Sequence, residues 1–428
     1  MKKPKFQAPS GMHDILPEDQ PFFQKVYNAT NEIANFYGFQ KIDTPIVEMA
    51  ELFSKGIGLT TDIVEKQMYV LRTRGGDYLA LRPEFTASIC RSFIEHGMFN
   101  LPQPVKLYSF GPLFRYEHPQ AGRFRQFHQV DFEVFGEQSP VIDAQIIQIF
   151  YNILKELKFK NLMVEINSIG DSQCLPYYKK LLVNYLKARE NSLCADCRRR
   201  LRINPLRVLD CKEEKCQPVK SQAPQMVDHL CEECKSHFKA VLEFLDELDI
   251  PYHLNPYLVR GLDYYTKTVF EIFEDTERGK NLGALVGGGR FDTLVRILGG
   301  KDTPVCGAAA GVERIVSAIK ERTKKEYVPI SPKKRIFLAQ LGELAKRKSL
   351  KLFEEFRKFE IPVAESLGKD SLKTQLRSAD RIGAEYALIF GQREALEGTI
   401  IIRDMKTGKQ EVLKLEKVVK EMQKRLKK

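Results

Sequence analysis

The stretch of residues 114–136 constrains the fold most strongly, because two runs of alternating side chains flank a turn. Successive side chains of a β-strand point to opposite faces of the sheet. One face of the pair collects polar side chains and one aromatic ring, namely Arg115, Glu117, Arg125, Phe127, Gln129, Asp131 and Glu133. The opposite face is mostly apolar, and Pro119 and Gly122 supply turn chemistry between the runs. The pattern predicts an antiparallel hairpin.

Two explanations fit the polar face of this hairpin. A half-solvated antiparallel hairpin commonly alternates in this way. The concentration of arginines, carboxylates, an amide and an aromatic ring on one face favours a binding site instead. Arginine can bind a phosphate bidentately, an aromatic ring can hold a base, and carboxylates can accept hydrogen bonds from an amine or an imidazole.

The length and composition of the chain define its broad class. Its 428 residues are enough for two or three domains. With 43% hydrophobic and 29% charged residues, it has the composition of a soluble globular protein. The sequence contains neither an apolar run of about 18 residues nor a signal-peptide pattern. We therefore expect a cytoplasmic protein without a membrane partner.

The positive charge of the chain is concentrated near its C-terminus. Residues 331–428 contain 24 Lys and Arg against 14 Asp and Glu, a net charge of +10 out of +12 for the whole chain. A lysine-rich solvated surface is one explanation. Concentration in one terminal domain favours nucleic-acid binding.

Cysteines mark a segment at about residues 170–251 that is also rich in Lys and Arg, and we interpret it as an insertion. Two Cys-x-x-Cys pairs have the spacing of zinc ligands, and Cys211 and Cys216 lie between them. The sequence predicts one structural zinc on the two outer pairs, which are Cys194, Cys197, Cys231 and Cys234. Reduced buried thiols are the alternative. A disulfide framework is disfavoured in a chain without an export signal.

The hairpin resembles motif 2 of class II aminoacyl-tRNA synthetases, and more narrowly that of the histidyl-tRNA synthetase family. Residues 258–271 (LVRGLDYYTKTVFE) and 285–295 (LVGGGRFDTLV) resemble the histidine signatures of this family. Residues 39–46 are similar to its motif 1 and residues 307–314 to its motif 3. The resemblance runs from about Ser10 to the C-terminus.

The resemblance implies an α+β fold class with a definite domain order. Residues 1–325 would form a catalytic domain built on an antiparallel sheet and interrupted by the insertion. Residues 326–334 would form a linker, and residues 335–428 a C-terminal α/β anticodon-binding domain. Alternating strand and helix patterns beyond Arg335 agree with this expectation.

The implied reaction is the ATP-dependent ligation of L-histidine to the 3′ end of its tRNA through a histidyl-adenylate, with Mg²⁺ carried on ATP, in a homodimer. The carboxylate of histidine is already ionised, so the first step needs stabilisation of phosphoryl charge and no general base. A different reading is a non-catalytic paralogue that acts as a regulatory subunit of ATP phosphoribosyltransferase. A synthetase for another amino acid is a third.

The resemblance also implies roles for individual residues. Arg115 and Arg260 would be catalytic. Histidine would be bound by Glu84, Thr86, Gln129, Glu133, Tyr264, Tyr265 and Gly288. ATP would be bound by Arg115, Glu117, Arg123, Phe127 and Arg314. Gln120 and Arg123 are expected at the tRNA acceptor end, while His118 stands where an Arg is usual in the family.

Overall fold

The computed structural model describes residues 5–118, 123–275, 283–323 and 335–426. The chain divides into two compact units, Met1–Tyr327 and Val328–Lys428. The predicted linker at residues 326–334 and the predicted acceptor-end residue Gln120 lie outside the described residues. Within the described ranges, no helix is both long and apolar enough to cross a membrane.

The first unit combines a large sheet with surrounding helices. Its helices are α1 (Gln20–Phe36), α2 (Ala50–Ile57), α3 (Thr86–Glu95), α4 (Pro140–Glu156), α5 (Leu175–Lys187), α6 (Ala195–Ile203), α7 (Gln217–Lys220), α8 (Glu232–Glu247), α9 (Leu294–Ile297) and α10 (Val312–Thr323). Its strands are β1 (Gln40–Lys41), β2 (Val47–Met49), β3 (Val70–Arg72), β4 (Tyr78–Leu81), β5 (Val105–Phe114), β6 (Gln126–Phe135), β7 (Leu162–Ser168), β8 (Tyr252–Leu254), β9 (Thr266–Glu274), β10 (Val286–Arg290) and β11 (Val305–Gly311).

Eight of these strands form one sheet in the order β1-β5-β6-β11-β10-β9-β7-β8. All neighbours from β5 to β7 pair antiparallel, and only the edge strands β1 and β8 pair parallel. Strands β2, β4 and β3 form a separate small antiparallel sheet. The expectation of a catalytic domain on an antiparallel sheet is confirmed.

The predicted hairpin is formed by β5 and β6, with Leu113 opposite Phe127 and Gly111 opposite Gln129. Its first strand ends at Phe114, so Arg115 and Glu117 lie just beyond the strand and not in it as predicted. Strand β6 lies between β5 and β11, so both of its edges are paired, and residues 130–135 are buried on both faces. Val130, Phe132 and Val134 pack into a core with residues of α1, α4, α8 and α10. The alternation therefore separates this core from the opposite face, which carries Gln129, Asp131 and Glu133 and which we name the polar floor. Asp131 and Glu133 are buried, so the half-solvated explanation is wrong.

The predicted insertion lies between β7 and β8 and contains α5, α6, α7 and α8. Short helical turns at Glu190–Ser192, Pro205–Val208, Glu214–Cys216 and Met226–His229 connect these helices. Tyr178, Leu182 and Leu201 pack in one core with Phe85 of the catalytic domain and with Tyr264. The insertion is thus continuous with the core that supports the polar floor.

The second unit is an α/β domain. Its strands are β12 (Ile336–Gln340), β13 (Val363–Glu365), β14 (Tyr386–Phe390), β15 (Thr399–Asp404) and β16 (Gln410–Lys414), and its helices are α11 (Glu343–Lys358), α12 (Leu372–Arg381), α13 (Gln392–Glu397) and α14 (Val418–Leu426). The sheet order is β13-β12-β14-β15-β16. Strands β12, β13 and β14 are parallel, whereas β15 and β16 form an antiparallel hairpin. Apolar clusters cover both faces of the sheet, which confirms the expected compact α/β domain.

Candidate active site

A cleft opens over the polar floor of the large sheet. It consists of two adjoining cavities of about 530 and 570 Å³ that share Arg115, Arg123, Gln129 and Arg260 among their lining residues. Most of the predicted site residues meet here, namely Glu84, Thr86, Arg115, Glu117, Arg123, Phe127, Gln129, Arg260, Tyr264, Tyr265 and Arg314. The volume is sufficient for a drug-sized or nucleotide-sized ligand.

Two predicted residues do not line the cleft directly. Glu133 lies beside the cleft: the Thr86 hydroxyl donates a hydrogen bond to Glu133 Oε1 at 2.6 Å, and Glu133 Oε2 adjoins Gly307, which lines the cleft. A Cβ on Gly288 would collide with Ala308 of the neighbouring strand, whereas the adjacent Gly287 faces the cleft. The alternation of β10 therefore places Gly287, and not Gly288, beside a ligand.

Three carboxylates crowd one end of the cleft. Glu84, Asp131 and Glu133 are 3%, 2% and 1% exposed. Glu84 Oε1 accepts from the Ala87 amide at 2.8 Å, at the start of α3. Among the described residues, Glu84 Oε2, Asp131 Oδ1 and Glu133 Oε2 have no hydrogen-bond partner. Buried acceptors are nearly always satisfied in folded proteins, and each unmade bond costs about 1 to 3 kcal/mol. Asp131 and Glu133 can share a proton in the empty cleft, and a ligand that donates hydrogen bonds would satisfy all three oxygens.

Burial raises the pKa of all three groups, and the neighbouring carboxylates add to the increase at Asp131 and Glu133. Burial raises the pKa of Asp131 to about 8, and the nearby Glu84 adds to the increase. Burial and the charge of Asp131 hold the pKa of Glu133 well above its usual range. Burial also raises the pKa of Glu84. The empty site therefore retains protons at neutral pH, and a bound cation would favour their release.

Two tyrosines close this end of the cleft. The rings of Tyr264 and Tyr265 are 4.8 Å apart, and both lie against Phe291. Burial raises the pKa of Tyr265 to about 12, so its hydroxyl keeps its proton. The pair can donate or accept hydrogen bonds while excluding water.

Arginines line the adjoining part of the cleft, and Arg115 and Arg260 each have a protein partner. Arg115 donates from Nε to the Pro83 carbonyl at 2.9 Å. Its guanidinium lies 5.2 Å from the centre of the Phe127 ring. Arg260 forms an ion pair with Glu271 on β9. Gly287 makes room for this pair, because a Cβ there would collide with the Arg260 guanidinium.

The start of α10 supplies a further arginine. Arg314 donates to the Ala284 carbonyl and lines the cavity that Phe127 also lines. The preceding residue, Glu313, accepts hydrogen bonds from the His128 amide at 2.9 and 2.8 Å and contacts the His128 ring nitrogen at 2.8 Å. This contact joins α10 to β6. The segment that resembles motif 3 is therefore in direct contact with the segment that resembles motif 2.

The mouth of the cleft contains the remaining predicted residues. Arg123 and Glu117 form an ion pair at 3.4 Å. His118, which departs from the family pattern, is exposed.

Sequence reasoning missed several residues that the structure places at the cleft. Asp131 was recognised on the polar face but not assigned to the site, although its alternation with Gln129 and Glu133 carried that information. Glu271, which pairs with Arg260, is the last residue of the signature at residues 258–271, but it was not assigned a role. Lys212 and Asp210 come from the insertion, and no sequence pattern linked them to the hairpin.

The predicted metal ligands do not form one site. Cys194 and Cys197 cluster with Cys211 and Cys216, whereas Cys231 and Cys234 cluster with Cys174 and Asp171. The prediction of a single zinc on Cys194, Cys197, Cys231 and Cys234 is therefore wrong. The reason is that the two pairs begin different helices, α6 and α8, and each helix start meets its own partners.

An antiparallel sheet that carries an arginine hairpin, joined by a strand and helix with a second arginine, is the architecture of a class II aminoacyl-tRNA synthetase. Residues 11–315 match the family model described as histidyl-tRNA synthetase, and residues 328–425 match that of an anticodon binding domain. The histidine–tRNA ligase of Dehalococcoides mccartyi is 43% identical over 421 residues, which cover 98% of this chain and 100% of that protein. The chain belongs to the histidyl-tRNA synthetase family.

Two further comparisons agree with this assignment. The histidine–tRNA ligase of Caldicellulosiruptor saccharolyticus is 44% identical over 415 residues, covering 96% of this chain and 97% of that protein. The crystal structure of apo histidyl-tRNA synthetase from S. aureus superposes with a TM-score of 0.78 at 33% identity, covering 97% of this chain and 99% of that chain. Similarity over the full length of the relatives does not favour the regulatory-subunit alternative.

Proposed function

We propose that the protein ligates L-histidine to the 3′ end of its cognate tRNA through a histidyl-adenylate. The observation that carries this proposal is the set of three buried, unpartnered carboxylate oxygens next to an arginine-lined cavity. An amino acid with an α-ammonium and a hydrogen-bonding side chain would donate hydrogen bonds to the carboxylate oxygens. A nucleoside triphosphate would place its phosphates against the arginines.

Histidine would be held at both of its polar ends. Glu84 and Thr86 bind the α-ammonium, since they lie together at the start of α3. Glu133 accepts from one imidazole nitrogen, and a hydroxyl of Tyr264 or Tyr265 meets the other. Gln129, which lines both cavities, contacts the substrate between these ends. A neutral imidazole offers one donor and one acceptor, so such a pocket discriminates against apolar side chains.

Activation joins the histidine carboxylate to the α-phosphate of ATP and releases pyrophosphate. Arg115 and Arg260 stabilise the charge that develops on the phosphoryl oxygens. The adenine lies between Phe127 and the plane of Arg314, and Arg123 and Glu117 bind nearer the mouth. The ion pair with Glu271 holds Arg260 in place before ATP arrives, so little reorganisation is needed in the transition state.

ATP acts as its Mg²⁺ complex. Mg²⁺ prefers hard oxygen ligands and keeps several waters, and the carboxylates of Glu117 and Glu271 fit this preference at the phosphate cavity. When bound, the ion neutralises phosphate charge. Zinc in the insertion also remains a proposal, but with the four predicted cysteines divided between two clusters.

The second unit would bind the anticodon region of tRNA. Its residues carry most of the net charge of the chain, and residues 328–425 match an anticodon-binding family. Gln120 and Arg123 would contact the acceptor end. Binding of tRNA should weaken steeply between about 50 and 200 mM salt. A filter-binding titration that gives the same affinity across this range would contradict the electrostatic interpretation.

We also propose a cytoplasmic homodimer. Large apolar side chains on or beside the small sheet are exposed, namely Ile46, Val47, Met49, Val70, Leu71 and Tyr78. Exposed apolar patches of this kind mark interaction surfaces. They adjoin the segment that resembles motif 1, so a second copy of the chain is the proposed occupant. Sedimentation should give a dimer, and a monomer at micromolar concentration would contradict it.

The decisive experiment is ATP–pyrophosphate exchange with a panel of amino acids. Histidine should support exchange, whereas leucine and tyrosine should not. Exchange with a different amino acid would indicate a synthetase of another specificity. Absence of exchange with every amino acid would support the regulatory-subunit alternative.

A further inference from the structure

Four cysteines of the insertion converge on one point. The sulfur atoms of Cys194, Cys197, Cys211 and Cys216 all lie within 4.8 Å of one another. The Sγ atoms of Cys194 and Cys211 are 3.9 Å apart. A tetrahedral zinc with bonds of about 2.3 Å separates its sulfur ligands by about 3.8 Å. The cluster therefore has the size of a four-thiolate metal centre, which we name the S4 cluster.

The backbone around the S4 cluster is arranged to support thiolates. The Cys197 amide donates to Cys194 Sγ at 3.4 Å, and the Cys194 amide donates to Cys216 Sγ at 3.2 Å. Cys194 also caps α6, where the helix dipole favours negative charge. Amide donors and a helix start lower the cost of holding several thiolates together.

A second cluster repeats this geometry at the start of α8. Its members are Asp171, Cys174, Cys231 and Cys234, and we name it the S3O cluster. The Cys234 amide donates to Cys231 Sγ at 3.5 Å, and the Cys231 amide donates to Cys174 Sγ at 3.2 Å. Three thiolates and one carboxylate form an accepted ligand set for zinc.

We propose that the insertion binds two zinc ions per chain, one in the S4 cluster and one in the S3O cluster, and that the S4 ion also holds Lys212 at the nucleotide cavity. Seven of the nine cysteines are then ligands, and only Cys90 and Cys306 lie outside the two centres. Both of these cysteines are fully buried.

The S4 cluster borders the cleft, whereas the S3O cluster does not contribute to its lining. Cys194 and Cys211 line the second cavity, and Lys212, which follows Cys211, lines both cavities. Lys212 lies close enough to Glu271 for its positive charge to lower the pKa of that carboxyl group, against the larger effect of burial. A metal bond to Cys211 therefore fixes the backbone next to a cation that faces the proposed phosphate site.

The segment between Cys197 and Cys211 is fastened to the catalytic domain as well. Arg207 forms an ion pair with Asp62 at 2.7 Å. Asn204 donates to Asp263 Oδ1 at 2.8 Å, within the histidine signature that also contains Arg260. Metal binding at the S4 cluster thus closes a loop whose contacts support one wall of the active site. This part of the proposal rests on the proposed function of the cleft.

Metal analysis of the full chain, purified without chelators from zinc-replete cells, tests the two centres. We expect about two zinc ions per chain, and about one in Cys197→Ser and in Cys234→Ser. Cys306→Ala serves as the matched control and should retain two. One ion or none in the parent protein would overturn the proposal, as would a stoichiometric iron content.

A measurement on the parent protein covers the case in which these variants fail to fold. Titration with a mercurial thiol reagent should release both zinc ions as seven thiols react, with release followed by a zinc indicator. Reaction of the seven thiols without metal release would overturn the proposal.

The coupling to the active site is tested by the KM for ATP in pyrophosphate exchange. Lys212→Ala should raise this KM about 10-fold or more while keeping two zinc ions, because a charge-assisted contact is lost. Cys211→Ser should raise it to a similar extent with one zinc, whereas Cys234→Ser should leave it within about twofold. An unchanged KM in Lys212→Ala would overturn the coupling. A parent protein with two zinc ions but no histidine-dependent exchange would instead refute the proposed function alone.

Discussion

The two ends of the cleft are built on opposite principles. At the amino-acid end, Glu84, Asp131 and Glu133 each keep one buried oxygen without a partner. At the nucleotide end, Arg115 and Arg260 already have a partner before any ligand binds. The carboxylate end therefore gains hydrogen bonds only from a ligand with matching donors, which makes binding selective. The arginines are held in position before a ligand binds, so they can stabilise transition-state charge with little reorganisation.

The largest effect that we expect comes from the carboxylate end. Glu133→Ala should nearly abolish activation of histidine, since it removes the imidazole acceptor and leaves the Thr86 hydroxyl without its acceptor. Glu133→Gln, the matched variant, should raise the KM for histidine more than the KM for ATP. Pyrophosphate exchange measures both quantities. If either variant used histidine as well as the parent does, the imidazole would be bound elsewhere.

At the arginine end, Arg260→Ala should slow adenylate formation on the order of 10²-fold, which is the scale of losing one electrostatic donor. The variant also leaves the half-buried Glu271 without its ion-pair partner. Arg260→Lys keeps the charge but loses the planar fork, so it should recover only part of the rate. Single-turnover formation of adenylate separates this step from binding. A near-normal rate for Arg260→Ala would remove Arg260 from the mechanism.

A smaller effect is expected where the nucleotide end holds the base. Phe127→Ala should raise the KM for ATP about 10-fold, because stacking of a base on an aromatic ring contributes about 1 to 3 kcal/mol. It should leave the KM for histidine nearly unchanged. Phe127→Tyr keeps the ring and should behave like the parent. A rise in the histidine KM alone would place the base elsewhere.

The two ends also differ in how far the sequence predicted them. The hairpin and its polar face could be predicted, because alternation is a local property of a strand, and the arginines followed from the resemblance of short motifs. The pairing of Arg260 with Glu271 depends on how the residues before β9 fold back onto it, which spacing does not encode. The cysteine pairs were recognised, but their grouping was not, because Cys174 and Asp171 carry no Cys-x-x-Cys signal and join α8 only through the tertiary fold.

The last prediction concerns stability, and it compares Asp131 at the carboxylate end with Asp143, a buried carboxylate that does not line the cleft. Burial raises the pKa of Asp131 to about 8 in the folded protein. An unfolded aspartate has a pKa of about 3.9. The folded state therefore binds more protons between these values, and the free energy of unfolding falls as pH rises from about 4 to about 8. Asp131→Asn removes this pH-dependent loss of stability, because an amide side chain does not titrate.

We therefore expect Asp131→Asn to raise the melting temperature relative to the parent, by a margin that grows between pH 5 and pH 8 and is constant above pH 8. Asp143 gives the matched control. Burial alone would raise the pKa of Asp143, but Arg290, which contacts it at 2.7 Å, and His237 outweigh burial and lower it. A lowered pKa contributes stability that is complete above about pH 4, so Asp143→Asn should reduce the melting temperature by a similar amount at pH 6 and pH 8. Calorimetric melting of both variants across this range measures the direction of each change in melting temperature. A lower melting temperature for Asp131→Asn than for the parent at pH 8 would show that the buried Asp131 carboxylate does not destabilise the folded protein.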